Sequence, residues 1–182
     1  MQINIDNELT LSDNFTTINA DQGNDGKPEN TTDAVSYPAS YDSVMSVAAL
    51  DSSKKLANFS QKNSQVELSA PGVSVNSTLP NNQYASWDGT SMATPHVSAV
   101  AALVWSHNMT CTAKQIRNVL SASAEDKGQK GRDYFYGYGI VKAKAAHDLI
   151  ASKGCDAKPD HTKPTPPPKD DNNGGGDNGG DN

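Results

Sequence analysis

Histidine is scarce in this chain and badly placed for one chemistry that the rest of the sequence suggests. There are four, His96, His107, His147 and His161, and none precedes position 96. Positive charge is also in deficit: 15 Lys and Arg against 21 Asp and Glu leave a net charge of −6, which argues against nucleic acid or an anionic membrane as a partner. No apolar run approaches the about 20 residues of a membrane-spanning helix. No basic segment followed by an apolar core opens the chain, so it shows no signal peptide, and any leader would lie outside this sequence. Beyond Ala157 apolar residues all but vanish. Pro159, Pro164, Pro166, Pro167 and Pro168 give an extended stretch, and only Asp, Asn and Gly follow from Asp170 to Asn182. Such a composition cannot bury a core, so 157–182 reads as a disordered Pro/Asp/Asn/Gly-rich linker leading to a further domain. Residues 1–19 are polar and unassigned.

What is present is concentrated between 20 and 156. Val44 to Leu50 is a continuous apolar run, the pattern of a buried parallel strand in an α/β fold with helices on both faces. Val66 to Leu68 and Val73 to Val75 are shorter strands. A turn at Leu79-Pro80-Asn81-Asn82 predicts a hairpin running into Asp88-Gly89-Thr90-Ser91. From Met92 to Trp105 the sequence is apolar nearly all round, which predicts a helix buried on every side. Ser91 then stands at a strand-to-helix junction. The unpaired N–H groups and positive dipole end there suit a developing negative charge. Gly89 lets the backbone turn sharply beside it. The alternative is that Ser91 only caps the helix, a common job for serine.

The run Gly89-Thr90-Ser91-Met92-Ala93-Thr94-Pro95-His96-Val97-Ser98 resembles the serine motif of the subtilisin-like serine proteases, the subtilases. Gln22-Gly23-Asn24-Asp25-Gly26, with Ser36-Tyr37-Pro38-Ala39 and the residues to Ala49, resembles the segment carrying that family's oxyanion-hole asparagine. The resemblance implies a subtilisin-like three-layer α/β fold with a mostly parallel sheet, present as its C-terminal portion over 20–156. It implies that Ser91 is the acylating nucleophile of a serine-type endopeptidase acting on polypeptides, with Asn24 as oxyanion donor. Gly89 and Thr90 would line the approach, and Ser36 would lie near the base of the pocket for the residue before the scissile bond. By the same resemblance the protein is secreted, needs no cofactor for its chemistry and allows a structural calcium ion, although no carboxylate spacing dictates a site.

The family's base and its carboxylate are absent. In subtilases the triad runs Asp, His, Ser, with the aspartate in an Asp-Ser/Thr-Gly turn and the histidine in His-Gly-Thr-His. Neither motif occurs here. His96 lies five residues past Ser91, about 140° around a helix, and so points away from it. Asp51-Ser52-Ser53 lacks the glycine and follows Asn24, the wrong order. Phe15-Thr16-Thr17-Ile18-Asn19-Ala20-Asp21-Gln22 is polar where the family has an apolar strand. Two functions therefore stand: an endopeptidase represented by part of its catalytic domain, whose N-terminal half is missing, or a non-catalytic fragment acting at most as an interaction module.

Behind the nucleophile helix, Thr112-Ala113-Lys114-Gln115 has capping-box spacing before Ile116, Val119 and Leu120. Gly137-Tyr138-Gly139-Ile140-Val141 resembles the turn before the family's last helix, expected from Lys142 to about Lys153 with Gly154 as its stop. The aromatic cluster of Tyr134, Phe135, Tyr136 and Tyr138 is expected to pack that turn. Cys111 and Cys155 flank this unit. A bridge between them suits a secreted subtilase, and two unrelated thiols are the alternative.

Overall fold

The computed structural model describes residues 18–26, 35–160 and 163–168. Three parallel strands form the main sheet in the order β1 (Ile18–Asp21), β2 (Val44–Leu50) and β3 (Val66–Pro71). Every residue of the central strand β2 is buried, as its uninterrupted apolar sequence requires. β1 starts at Ile18, inside the stretch that sequence left unassigned, and pairs Ile18 with Val44 through Asp21 with Val47. Its polar residues remain costly. The Asn19 amide donates to Ser98 Oγ at 3.0 Å, while Gln22, next after β1, is fully buried with neither side-chain amide atom partnered among the described residues.

β4 (Val75–Leu79) and β5 (Gln83–Trp87) form the expected hairpin, turning at Asn81 and Asn82 with φ of 63° and 56°. Asparagine tolerates that left-handed conformation better than most residues. The helix α1 (Thr90–Ser106) follows and lies across all three strands of the main sheet. Burial on every side is not what α1 has. Thr90, Ala93, Val97 and Val104 form one buried stripe, whereas Ala99, Ala102 and Leu103 are exposed. Alanine carries little information about which face is inward, so an Ala-rich run mimics all-round burial.

α2 (Ala113–Ala122) opens with the capping box: Thr112 Oγ1 accepts from Gln115 N, and the Gln115 side chain accepts from Thr112 N at 2.8 Å. Ile116, Val119 and Leu120 are buried in the same core as Met45, Val47, Leu68 and Val97. α3 (Ala143–Lys153) ends at Gly154, whose φ is 75°. α2 and α3 pack on each other and on α1. Cys111 and Cys155 are joined by a disulfide with their Cα atoms 5.5 Å apart.

The aromatic cluster is half-buried in the turn before α3, where the Tyr136 hydroxyl accepts from Leu56 N and Arg132 lies over the Tyr138 ring. Asp133, fully buried in this turn, accepts from Gln129 N, Phe135 N and Tyr136 N. Burial pushes its carboxyl pKa up. Part of the segment read as linker lies along the same turn: Thr165 N donates to Arg132 O at 2.7 Å and Thr165 O accepts from Tyr134 N. The Asp-, Asn- and Gly-rich stretch from 169 on, and Met1 to Thr17, lie outside the described residues.

Candidate active site

The junction from β5 into α1 is fixed before Ser91 is reached. Asp88 Oδ1 accepts from Ser74 N at 2.7 Å, and Gly89 N donates to Gly72 O at 2.8 Å. Gly89 is the N-cap of α1, with φ 157° and ψ 154°. That region of backbone space is essentially reserved for glycine. No side chain caps α1, so Ser91 does not serve as its cap. It is exposed in the first turn, and its hydroxyl donates to Asp21 Oδ2 at 3.2 Å.

The loop after β1 reaches the same place. Asn24 Oδ1 accepts from Thr90 N at 2.8 Å and lies 2.9 Å from Thr90 Oγ1. A backbone N–H can only donate, so the side-chain atom facing it must be the amide oxygen. The Asn24 NH₂ is thereby turned away from Thr90 and left to donate elsewhere. Its Nδ2 lies 3.6 Å from where a Cβ on Gly89 would stand. Thr90 is completely buried and is the pivot of this arrangement, since its hydroxyl also accepts from Gly23 N at 3.3 Å. Gly89, Thr90 and Ser91 thus form one constellation with Asn24, 66 positions before Thr90, at the positive end of α1.

Ser36 joins it indirectly. Its Oγ donates to Gln61 Oε1 at 2.7 Å, and Gln61 N donates to Gly23 O at 3.2 Å. Asp21 was not singled out by sequence. The only signal was an acid at the end of a strand that should be apolar, and nothing in the spacing announced that this strand end meets a helix start 70 residues later. Its exposed carboxylate touches both hydroxyls, Ser91 Oγ through Oδ2 and Thr90 Oγ1 through Oδ1 at 3.3 Å.

No described histidine faces Ser91. His96 Nδ1 bonds Met92 O at 2.8 Å, turned back along α1, and His107 and His147 meet at the other end of that helix. His161 lies outside the described residues. Among the described residues no group of three or more His, Cys, Asp or Glu gathers as metal donors, so the structural calcium allowed by sequence has no donor set to test. No helix of the described residues is long and apolar enough to cross a membrane.

The parallel sheet is crossed by a helix that carries Ser91 in its first turn. The solved structure of the psychrophilic subtilisin-like protease Apa1 from the Antarctic psychrotroph Pseudoalteromonas sp. AS-11 superposes with a TM-score of 0.69 at 24% identity, covering 82% of this chain and 65% of that one. The fold is therefore that of a subtilisin-like protease over part of its length. The chain belongs to the subtilase family, whose model matches residues 13–139. Subtilisin DY of Bacillus licheniformis is 46% identical over 124 residues, which cover 68% of this chain and 44% of that protein. Subtilisin E of Bacillus subtilis (strain 168) is 42% identical over 129 residues, covering 71% and 33%. The minor extracellular protease Epr of the same strain is 41% identical over 126 residues, covering 69% and 19%. The chain spans less than half the length of these curated relatives.

Proposed function

We propose that this chain carries the nucleophile and oxyanion-binding portion of a serine endopeptidase. Ser91 attacks the carbonyl carbon of a peptide bond. The Asn24 NH₂ and the Ser91 N–H, at the start of α1, donate to the oxygen that becomes negative, a stabilisation worth most in the transition state. Gly89 and Thr90 line the approach, and Ser36 lies near the base of the pocket for the residue preceding the scissile bond. The observation that carries this reading is the 2.8 Å bond from Thr90 N to Asn24 Oδ1, because it fixes which end of the Asn24 amide is offered to substrate.

A serine hydroxyl needs a base, and that base needs a carboxylate to orient it. Both are expected from the N-terminal half of a catalytic domain that the relatives possess beyond the matched stretch. The chain alone is therefore expected to have no ordinary peptidase turnover. Its polypeptide substrates, a downstream domain after the linker and an extracellular location are parts of the same proposal. The disulfide supports the location, since such bonds persist in oxidising compartments.

A second reading, a non-catalytic fragment, is favoured by Asp21. A carboxylate hydrogen-bonded to the nucleophile adds negative charge where the transition state develops more. The test is a chimera that places the aspartate- and histidine-bearing half of Subtilisin DY before residue 18. Peptidase activity lost on Ser91→Ala and cut strongly by Asn24→Ala supports the endopeptidase. A folded chimera that stays inactive, yet becomes active on Asp21→Ala, supports the fragment reading.

A further inference from the structure

The end of α1 opposite Ser91 meets α3 through two imidazoles. The rings of His107, just past α1, and His147, in the middle of α3, stand with centroids 6.0 Å apart at 78° to each other. Both side chains are exposed, at a depression lined by Leu103, Val104, Ala143 and Lys144. His107 Nδ1 lies 3.0 Å from Leu103 O. A carbonyl only accepts, so Nδ1 is the donor there; Ser106 Oγ also lies 3.2 Å from Nδ1 but gives its own proton to Leu103 O at 2.8 Å, which leaves the lone pair on Nε2. A metal-binding histidine is ordinarily prepared in just this way, by a bond from its other nitrogen to a carbonyl. His147 has no hydrogen-bond partner among the described residues. The neighbouring cation is dealt with locally, because Lys144 Nζ bonds Asp148 Oδ2 one turn along α3.

We propose that His107 and His147 form a two-histidine site for a borderline divalent transition ion, zinc, nickel or copper, with water completing its coordination. Imidazole nitrogens bind zinc at about 2.0–2.1 Å and lie about 1.2 Å from their ring centres, so two rings on one tetrahedral ion have centres about 5.3 Å apart. The observed 6.0 Å leaves two exposed rings to close by about 0.7 Å on the ion. Soft or borderline ions are selected over calcium and magnesium, which prefer oxygen donors. The ion ties the end of α1 to α3, the two elements whose following segments are already tied by Cys111 and Cys155. The site is independent of Ser91 and of any peptidase activity.

The test is titration of the full chain with zinc chloride, followed by calorimetry, and with nickel chloride, followed by the histidine ring proton resonances. Saturable one-to-one binding at micromolar zinc is expected, weakened at least tenfold by His107→Ala and by His147→Ala and unchanged by His96→Ala. Nickel should broaden the ring signals of His107 and His147 before that of His96, a readout that needs no variant. Binding that neither substitution weakens, equal broadening of all three rings, or no saturable binding overturns the site.

Discussion

Breaking the Cys111–Cys155 bridge should remove a large fraction of the stability of this fold. The bridge closes a loop with a sequence separation of 44, spanning α2, the aromatic turn and α3. In the chain-entropy model a loop of this length restricts the unfolded ensemble by about 13 cal/mol/K, or about 4 kcal/mol at 25 °C. Domains of ordinary stability have about 5–15 kcal/mol in all. The bridge also holds local contacts in register. Trp105 Nε1 donates to Cys111 O at 2.8 Å, and Gln115 Nε2 reaches Asp156 Oδ1 at 2.8 Å across the joined segments. The assay is urea unfolding of the oxidised chain and of the Cys111→Ala/Cys155→Ala variant, followed by the fluorescence of Trp87 and Trp105. A loss of about 3–4 kcal/mol is expected, nearly the same in either single variant, because each removes the same cross-link. A loss below about 1 kcal/mol would refute the reasoning: either the thiols are not joined in solution or the unfolded chain already holds this loop closed.

Three further outcomes follow from other parts of the fold. Gln22→Met, which replaces a buried and unpartnered amide by an apolar side chain of similar size, should raise stability by about 1–2 kcal/mol in the same urea assay; a decrease would mean that the amide has a partner. Gly137→Ala should cost more than about 2 kcal/mol, since φ is 65° and a Cβ would run into the Glu67 carbonyl that Tyr138 N bonds at 2.7 Å; a melting temperature within a degree or two of the parent would contradict this. Lys142 and Lys54 beside Glu125 hold its carboxyl down to about 2. A depressed carboxylate contributes stability above its ordinary value of 4.5 that is lost as pH falls toward 2, so Glu125→Gln should flatten the thermal midpoint between those pH values while lowering it at pH 7; an unchanged acid limb would show that the ion pairs do not form.

Much of the scaffold was legible because its signals are local. The Val44 to Leu50 run, the Thr112 and Gln115 capping box, the hairpin turn at Asn81 and Asn82, and the Gly154 stop each follow from a few adjacent residues, and each stands where that chemistry puts it. The one-sided burial of α1 is not legible in its sequence, because alanine is tolerated on either face. The start of β1 was hidden because its polar residues contradict a buried strand, which only pairing with β2 reveals. At the site, the serine motif marks Ser91, but the fixed orientation of Asn24 and the Asp21 carboxylate depend on contacts across 66 to 70 positions. No periodicity encodes such meetings.

The central proposal is that Ser91 and Asn24 are poised for acyl transfer, with no histidine facing Ser91 among the described residues. The most direct measurement is the mass of the protein after treatment with a fluorophosphonate, with the adduct located by peptide mapping, for the chain alone and for the chimera carrying the aspartate and histidine half. A single adduct on Ser91 in the chimera, and none at the same exposure in the chain alone, is the expected result. Stoichiometric labelling of Ser91 in the chain alone, or labelling of another residue in the active chimera, would contradict it.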